Sequence, residues 1–119
     1  MPKRVLVVDD HPAVALALKV AFRVDGRFEI AGSARTAADG LELPVADADA
    51  VVLDLHLPDM AGAPLVQAFR TRDPEMPLIL HSASDETPEV DDVRHLVDAV
   101  VLKSHVDELL AELARLTGA

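Results

Sequence analysis

Short apolar runs recur along the chain and predict the strands of a sheet. Four of them are nearly continuous, at Val5–Val8, Ala50–Leu53, Leu78–Leu80 and Ala99–Leu102. Such runs are typical of strands that are covered on both faces. Phe28–Ala31 alternates less cleanly and predicts a fifth strand, nearer an edge. The pattern therefore indicates a parallel sheet of five strands.

Segments with helical spacing follow each of these runs. Threonine and proline favour helix starts and glycine favours helix ends, because each suits the unpaired backbone groups found there. The predicted boundaries are Pro12 and Gly26, Thr36 and Pro44, Pro64, Thr87 with Pro88, and Thr117 with Gly118. The residues expected to face inward are Val14, Leu18, Ala21, Phe22, Leu65, Val66, Phe69, Val90, Val93, Leu96, Val97, Val106, Leu109, Leu110, Leu113 and Leu116.

Five strands alternating with five helices predict an α/β fold, a three-layer doubly wound sandwich with a five-stranded parallel sheet. Right-handed crossovers place helices on both faces of such a sheet. A chain of 119 residues has the size of one domain, so residues 1–119 are expected to form one. Ligands of these folds gather at the carboxyl ends of the strands, which makes the residues after each run the candidates for a site.

Composition and charge narrow the classes of function. The formal net charge is -10, from 21 acidic and 11 basic residues, so we expect no direct binding to a nucleic-acid backbone. The chain has no cysteine, which excludes disulfides, thiolate metal sites and cysteine nucleophiles. Lys3 and Arg4 precede only four apolar residues, too few for a signal peptide. We expect a cytoplasmic protein that does not contact a membrane.

Reactive side chains follow four of the five predicted strands. Asp9 and Asp10 follow the first strand, Asp54 the third, Ser82 the fourth and Lys103 the fifth. Carboxylates that lie close together repel one another unless a cation sits among them, and oxygen ligands suit Mg²⁺. A lysine and a hydroxyl can both contact a phosphate. A single aspartate would be no more than a turn former, but the whole set predicts a magnesium-dependent phosphoryl-transfer site.

Four sequence stretches carry a family resemblance. VLVVDDHP at 5–12, VVLDLHLPDMAG at 51–62, LILHSA at 78–83 and VVLKS at 100–104 resemble the receiver domain of two-component response regulators, over essentially the whole chain. The resemblance implies a flavodoxin-like sheet in the order 2-1-3-4-5. The DDHP and KS motifs are similar to the subgroup whose receivers precede a LuxR-type helix-turn-helix domain.

The resemblance also implies roles for individual residues. Asp54 would accept the phosphoryl group and also bind the metal. Asp10 would be a direct Mg²⁺ ligand, Asp9 would act through metal-bound water, and the backbone carbonyl of His56 would complete the protein ligands. The remaining matches form the phosphate environment: Ser82 would move toward the phosphoryl group, Lys103 would pair with it, and Ala83 would be the small residue beside it.

The chain departs from the family pattern at several positions. Val100 stands where many receivers have a tyrosine or phenylalanine that rotates on phosphorylation, which leaves the route of the signal open. Ser104 replaces a frequent proline, Ala61 a common acidic residue, and Leu96–Asp98 lacks a usual Gly-Ala. The region around the fourth predicted helix is unusually acidic, which we interpret as a solvated face.

Four of the five histidines, His11, His56, His81 and His105, lie near strand ends. A zinc or other transition-metal site is the alternative they raise. No HxH or HxxxH spacing occurs, so the oxygen site is favoured. His11 is expected to begin a helix, and His56 to line the mouth of the site, where it would orient or block an attacking water.

The resemblance implies a signalling switch that takes a phosphoryl group from a sensor histidine kinase or a phosphotransfer protein. It would not be an enzyme beyond assisting its own phosphorylation and dephosphorylation, and it would form a homodimer when phosphorylated. Three alternatives remain. The first is an aspartyl-phosphate phosphatase of the haloacid dehalogenase kind, which requires a DxD motif where this chain has His56 at the second position. The second is a receiver that is never phosphorylated, and the third is a stand-alone receiver rather than part of a transcriptional regulator.

Overall fold

Five strands and five helices alternate along the chain, as the apolar pattern predicts. The computed structural model describes residues 1–119. The strands are β1 (Lys3–Val8), β2 (Phe28–Ala34), β3 (Ala50–Leu53), β4 (Leu78–Ser82) and β5 (Ala99–Leu102). The helices are α1 (Pro12–Asp25), α2 (Ala37–Leu41), α3 (Gly62–Arg72), α4 (Pro88–Val93) and α5 (Val106–Thr117), with a 3-10 turn at Arg94–Leu96.

All strand pairs are parallel, in the order β2-β1-β3-β4-β5. The predicted sheet order is therefore confirmed, with β2 at one edge. β1 and β3 are neighbours, and Val8 pairs with Leu53 at their carboxyl ends. Since the next residue on each strand is an aspartate, this register alone brings two carboxylates together.

Apolar residues pack on both faces of the sheet. Alternate residues of β1 divide between the faces: Leu6 and Val8 join a cluster of 15 buried residues with α2, α3 and α4. Val5 and Val7 join a cluster of 11 buried residues with α1 and α5. This division makes the predicted three-layer sandwich, since each strand presents one side chain in two to each face.

Most helix boundaries follow the predicted chemistry. Pro12 is the first residue of α1, and Gly26 ends that helix in the left-handed region, at a φ of 86°. The Thr36 hydroxyl accepts a hydrogen bond from the Asp39 N–H at 3.1 Å. The Thr87 hydroxyl accepts one from the Val90 N–H at 3.2 Å. These contacts satisfy amides that a helix start leaves unpaired.

Three expectations about the helices are corrected by the structure. α3 begins at Gly62, two residues before Pro64, because the first turn of a helix needs no bonded amides and accepts proline at its third position. α4 ends at Val93, and Leu96 belongs to the 3-10 turn. Val106 is 38% exposed; it is the first residue of α5, one turn before the buried Leu109. No helix has the length and apolar composition needed to cross a membrane.

Candidate functional site

Two buried aspartates form the floor of a site at the carboxyl ends of the central strands. Asp9 and Asp54 are each 4% exposed. The Asp54 N–H donates to the Val8 carbonyl at 2.9 Å, which continues the β1–β3 pairing beyond the last strand residue. The predicted meeting of these two residues is therefore confirmed.

Lys103 reaches both carboxylates from the end of β5. Its Nζ lies 3.0 Å from Asp9 Oδ2 and 3.2 Å from Asp54 Oδ2. The contact with Asp54 has hydrogen-bond geometry, whereas the contact with Asp9 is an ion pair. The Lys103 N–H donates to the Ser82 carbonyl at 2.8 Å. One ammonium thus partly neutralises two buried carboxylates.

Burial and charge shift the pKa values of these groups in different directions. Burial opposes the charge of Asp9, but the His11 N–H and the Lys103 ammonium outweigh it and lower the pKa of Asp9. Burial raises the pKa of Asp54, and the neighbouring Asp9 charge acts in the same direction. Burial also disfavours the charged form of Lys103, yet the two carboxylates leave its pKa above the ordinary value. Asp54 is therefore the carboxylate that needs further positive charge.

Asp10 and His11 extend the site beyond the first strand. The His11 N–H donates to Asp9 Oδ1 at 2.9 Å, and its Nδ1 lies 3.1 Å from Asp10 Oδ1. Asp9 Oδ2 and Asp10 Oδ1 are buried oxygens without a hydrogen-bond partner. One ligand atom from each of Asp9, Asp10, His11 and Asp54 lies within 4.8 Å of the others. Carboxylate oxygens grouped in this way fit a hard divalent cation such as Mg²⁺.

His56 lies at the mouth of the site, as its sequence position suggests. Its N–H donates to Asp54 Oδ1 at 3.3 Å. Nε2 of its ring lies 2.7 Å from Glu89 Oε2 in the first turn of α4. This contact joins the segment after β3 to α4, and the sequence gives no direct sign of it. A role for the His56 carbonyl in binding a metal remains a prediction.

The other predicted site residues lie beside the acidic group. Ser82 is buried at the end of β4, and its Oγ accepts a hydrogen bond from the Ser84 N–H at 3.3 Å. No hydrogen bond joins this hydroxyl to Asp54 or Lys103. Ala83 is exposed, directly after the strand. The structure therefore brings the acids and the lysine together but leaves the serine hydroxyl bonded elsewhere.

His81 is a buried polar residue that sequence analysis did not single out for a role. It is 2% exposed, and neither ring nitrogen has a hydrogen-bond partner. Burial, followed by the charge of Lys103, lowers the pKa of His81 to about 4. The sequence signal for its burial was its place directly before Ser82, at the end of an apolar run. Side chains alternate along a strand, so residue 81 faces the same side of the sheet as Val101, its partner on β5.

Comparisons with known proteins define the class of protein to which this fold and site belong. A family model described as the response regulator receiver domain matches residues 5–114. The chain therefore belongs to the response regulator receiver domain family of two-component signalling.

Individual relatives agree with this membership. The chain is 30% identical over 118 residues to the transcriptional regulatory protein MctR of Rhizobium johnstonii, covering 97% of this chain and 55% of that protein. It is 29% identical over 119 residues to the nitrate/nitrite response regulator protein NarP of Escherichia coli, covering 96% and 54%. The chain thus spans about half the length of these curated relatives.

Solved structures share the fold at low sequence identity. The non-phosphorylated receiver domain of the stress response regulator RcsB from Escherichia coli matches with a TM-score of 0.85 at 21% identity, over 97% of this chain and 95% of that chain. The response regulator domain of Thermotoga maritima CheB matches with a TM-score of 0.84 at 18% identity, over 100% and 98%. The flavodoxin-like receiver fold expected from the sequence is confirmed.

Proposed function

We propose that this chain is a phosphorylation-activated signalling switch in which Asp54 accepts a phosphoryl group from a phosphohistidine. The donor would be a sensor histidine kinase or a phosphotransfer protein. The observation that supports this most directly is the Asp54 carboxylate, buried at the end of β3 with an ammonium 3.2 Å from Oδ2 and two further carboxylates beside it.

In the transfer step, a carboxylate oxygen of Asp54 forms a bond to phosphorus as the P–N bond of the phosphohistidine breaks. The electron pair of that bond stays with the departing imidazole, and Asp54 becomes an acyl phosphate. Lys103 would then pair with a phosphoryl oxygen as well as with Asp9, since it already lies between the two acids. Positioned positive charge is the main requirement of phosphoryl transfer.

Ser82 and Ala83 would form the remaining phosphate contacts. The Ser82 hydroxyl would leave the Ser84 N–H and donate to a phosphoryl oxygen, which requires the segment after β4 to move. The exposed Ala83 leaves room beside the acceptor. With Val100 in place of an aromatic residue, this segment would carry the conformational response.

Asp9, Asp10, Asp54 and the backbone carbonyl of His56 would hold Mg²⁺, with Asp10 as a direct ligand and Asp9 acting through bound water. When bound, the ion would neutralise charge on the carboxylates and on the phosphoryl group. The dehalogenase-type alternative is disfavoured because His56 stands where that mechanism requires a second aspartate.

We further propose that residues 1–119 are one receiver domain, acting in the cytoplasm as part of a transcriptional regulator. The support for this output is that MctR and NarP are regulatory proteins in which the matched region is about half of the chain. Phosphorylation would favour a homodimer, and this domain would not itself contact DNA.

The test is phosphorylation with acetyl phosphate in the presence of Mg²⁺, measured by intact mass. The wild-type chain should gain one phosphate, and removal of Mg²⁺ with a chelator should prevent the gain. Asp54→Asn should gain none, while Asp107→Asn, an exposed aspartate at the start of α5, should behave as the wild type. A phosphate on Asp54→Asn would refute the assignment of the acceptor.

A further inference from the structure

Basic side chains are distributed unevenly in this acidic chain. The first 35 residues carry six basic and four acidic residues, whereas the remaining 84 carry five basic and 17 acidic residues. The six lie on β1, on α1 and directly beside the two ends of β2. The part of the molecule that these three elements form therefore has a small excess of positive charge, although the whole chain is negative.

Ion pairing also differs between the two parts of the chain. Each of the five basic residues after position 35 has a nitrogen within 3.2 Å of a carboxylate oxygen. Before that position, only Arg4 and Arg27 have such a partner. Lys19 and Arg23 have none, and both are exposed on consecutive turns of α1. A chain with 21 acidic residues thus leaves these two cations free to pair with charge on another molecule.

Lys19 and Arg23 border a groove between α1 and β2. One cavity, of about 390 Å³, is lined by both cations and by apolar side chains of the two elements, Phe22, Phe28 and Ile30. A second cavity, of about 360 Å³, shares Lys19 and Ile30 with the first and extends to Leu16 and Ser33. The two cavities together form an elongated groove that follows the strand and has cations on its helical side.

The strand that forms the other side of the groove lies at the edge of the sheet. β2 pairs only with β1, so the backbone groups on its other edge have no strand partner. Edge strands are commonly protected from further pairing by lysine or proline. β2 contains neither, and Glu29 is its only charged residue. An extended peptide could therefore add to this edge through backbone hydrogen bonds.

We propose that the groove between α1 and β2 binds an extended acidic segment of a partner protein. Carboxylates of the segment pair with Lys19 and Arg23, and its apolar side chains enter the cavities beside Phe28 and Ile30. Its backbone bonds to the free edge of β2. This interaction surface does not depend on phosphorylation of Asp54.

Two features favour a polypeptide over a nucleic acid or an anionic membrane. Only a polypeptide can continue the backbone pairing of β2. In addition, charges more than about 8 Å apart are largely screened at physiological salt. A narrow segment in the groove therefore meets mainly the local cations, whereas a broad anionic surface also meets the acidic remainder of the chain.

The experiment measures binding of a fluorescent peptide to the full chain by anisotropy. The peptide has seven residues, the length of β2, with glutamate and valine in pairs so that both types face the groove. The double variant Lys19→Gln/Arg23→Gln should bind it about fivefold to tenfold more weakly, the loss expected for two exposed ion pairs. Glu29→Gln should bind it more tightly, because Glu29 lines the groove. A peptide with lysine in place of glutamate should not bind.

The matched control is Arg94→Gln/Arg115→Gln, which removes the same charge from α5 and from the 3-10 turn after α4. Equal losses in the two double variants would overturn the proposal, because net charge alone would then explain the binding. So would a lack of saturable binding up to millimolar peptide, or peptide-induced amide shifts in NMR spectra that lie outside α1 and β2.

Vesicles of phosphatidylserine and sedimentation of the chain alone test the other possible occupants. Vesicle binding without peptide binding, lost in Lys19→Gln/Arg23→Gln, would assign the groove to a membrane. Self-association that is lost in the same variant, without peptide binding, would assign the groove to a second copy of the chain. Either result would overturn the proposal.

Discussion

At the scale of single residues, His81 is a polar side chain that burial keeps in its neutral form. Its ring is buried without a hydrogen-bond partner, and burial lowers its pKa from 6.5 to about 4. In the folded protein the neutral form therefore persists at pH values where the unfolded chain already binds a proton. Folding then becomes less favourable as the solution is acidified.

We expect the free energy of unfolding to fall between about pH 6.5 and pH 4 by roughly 3 kcal/mol from this residue, because the unfolded state binds the extra proton throughout that window. Below about pH 4 both states are protonated and the effect levels off. His81→Leu should abolish this part of the pH dependence in urea titrations, and His95→Leu, at an exposed histidine, should retain it. Equal slopes for the wild type and His81→Leu would contradict the assignment.

Residues at strand ends could be placed from sequence, whereas ring contacts could not. Asp9 and Asp54 meet because parallel strands end at one edge of a sheet, and hydrophobic runs show where those strands end. The contact between His56 and Glu89 joins positions 33 apart, and nothing in local spacing determines it. The place of the His11 ring among the acids also depends on side-chain packing, although its position directly after Asp9 and Asp10 was a signal.

At the scale of elements, α2 is held close to the sheet through Gly40. A Cβ on this residue would lie 2.9 Å from Val8 Cγ1 and 3.0 Å from Phe69 Cζ, closer than packed carbon atoms allow. The Arg72 Nη1 donates to the Gly40 carbonyl at 2.8 Å, which ties α3 to the same point. The close spacing of β1, α2 and α3 is thus possible because residue 40 is a glycine.

Gly40→Ala should lower the stability by about 1–3 kcal/mol through overpacking, although alanine favours a helix by about 1 kcal/mol over glycine. Gly32→Ala is the matched control, since its Cβ would meet only the ends of two leucine side chains, at 3.4 Å. Thermal unfolding followed by circular dichroism compares the two. A Gly40→Ala protein as stable as the wild type would show that α2 can move outward at little energetic cost.

The His56–Glu89 contact connects the segment after β3 to the first turn of α4. If Asp54 is phosphorylated as proposed, His56→Ala and Glu89→Gln should each change the dephosphorylation rate severalfold in the same direction, because each removes one half of the link. The double variant should add little. Decay of the phosphorylated mass after removal of acetyl phosphate measures the rate, with Asp92→Asn, exposed on the same helix, as the control. A change in only one single variant would argue against the pair.

Element boundaries show where sequence patterns lose accuracy. The strands β3 and β5 have the predicted limits because apolar runs end at polar residues. The start of α3 at Gly62 escaped prediction, since proline at position 64 is compatible with several first-turn positions. The end of α4 at Val93 also escaped prediction, because the apolar spacing continues to Leu96 through the 3-10 turn.

At the scale of the whole molecule, the negative charge of the chain opposes direct contact with DNA. The net charge of -10 includes acidic side chains on α4 and on the first turn of α5. We expect no shift of duplex DNA by the isolated chain at physiological salt, because a net charge of -10 repels the phosphate backbone. An electrophoretic mobility assay, with and without acetyl phosphate, measures this. Binding that weakens as salt rises would contradict the expectation.

The fold lowers the pKa of Asp9 and raises the pKa of Asp54, and this difference has a consequence for engineering. Because the fold raises the pKa of Asp54, the ionised carboxylate is held there at the expense of stability at neutral pH. An amide at this position removes that charge, so Asp54→Asn should melt at a higher temperature than the wild type in the absence of metal. Selection of variants by melting temperature alone would then enrich chains that have lost the proposed acceptor.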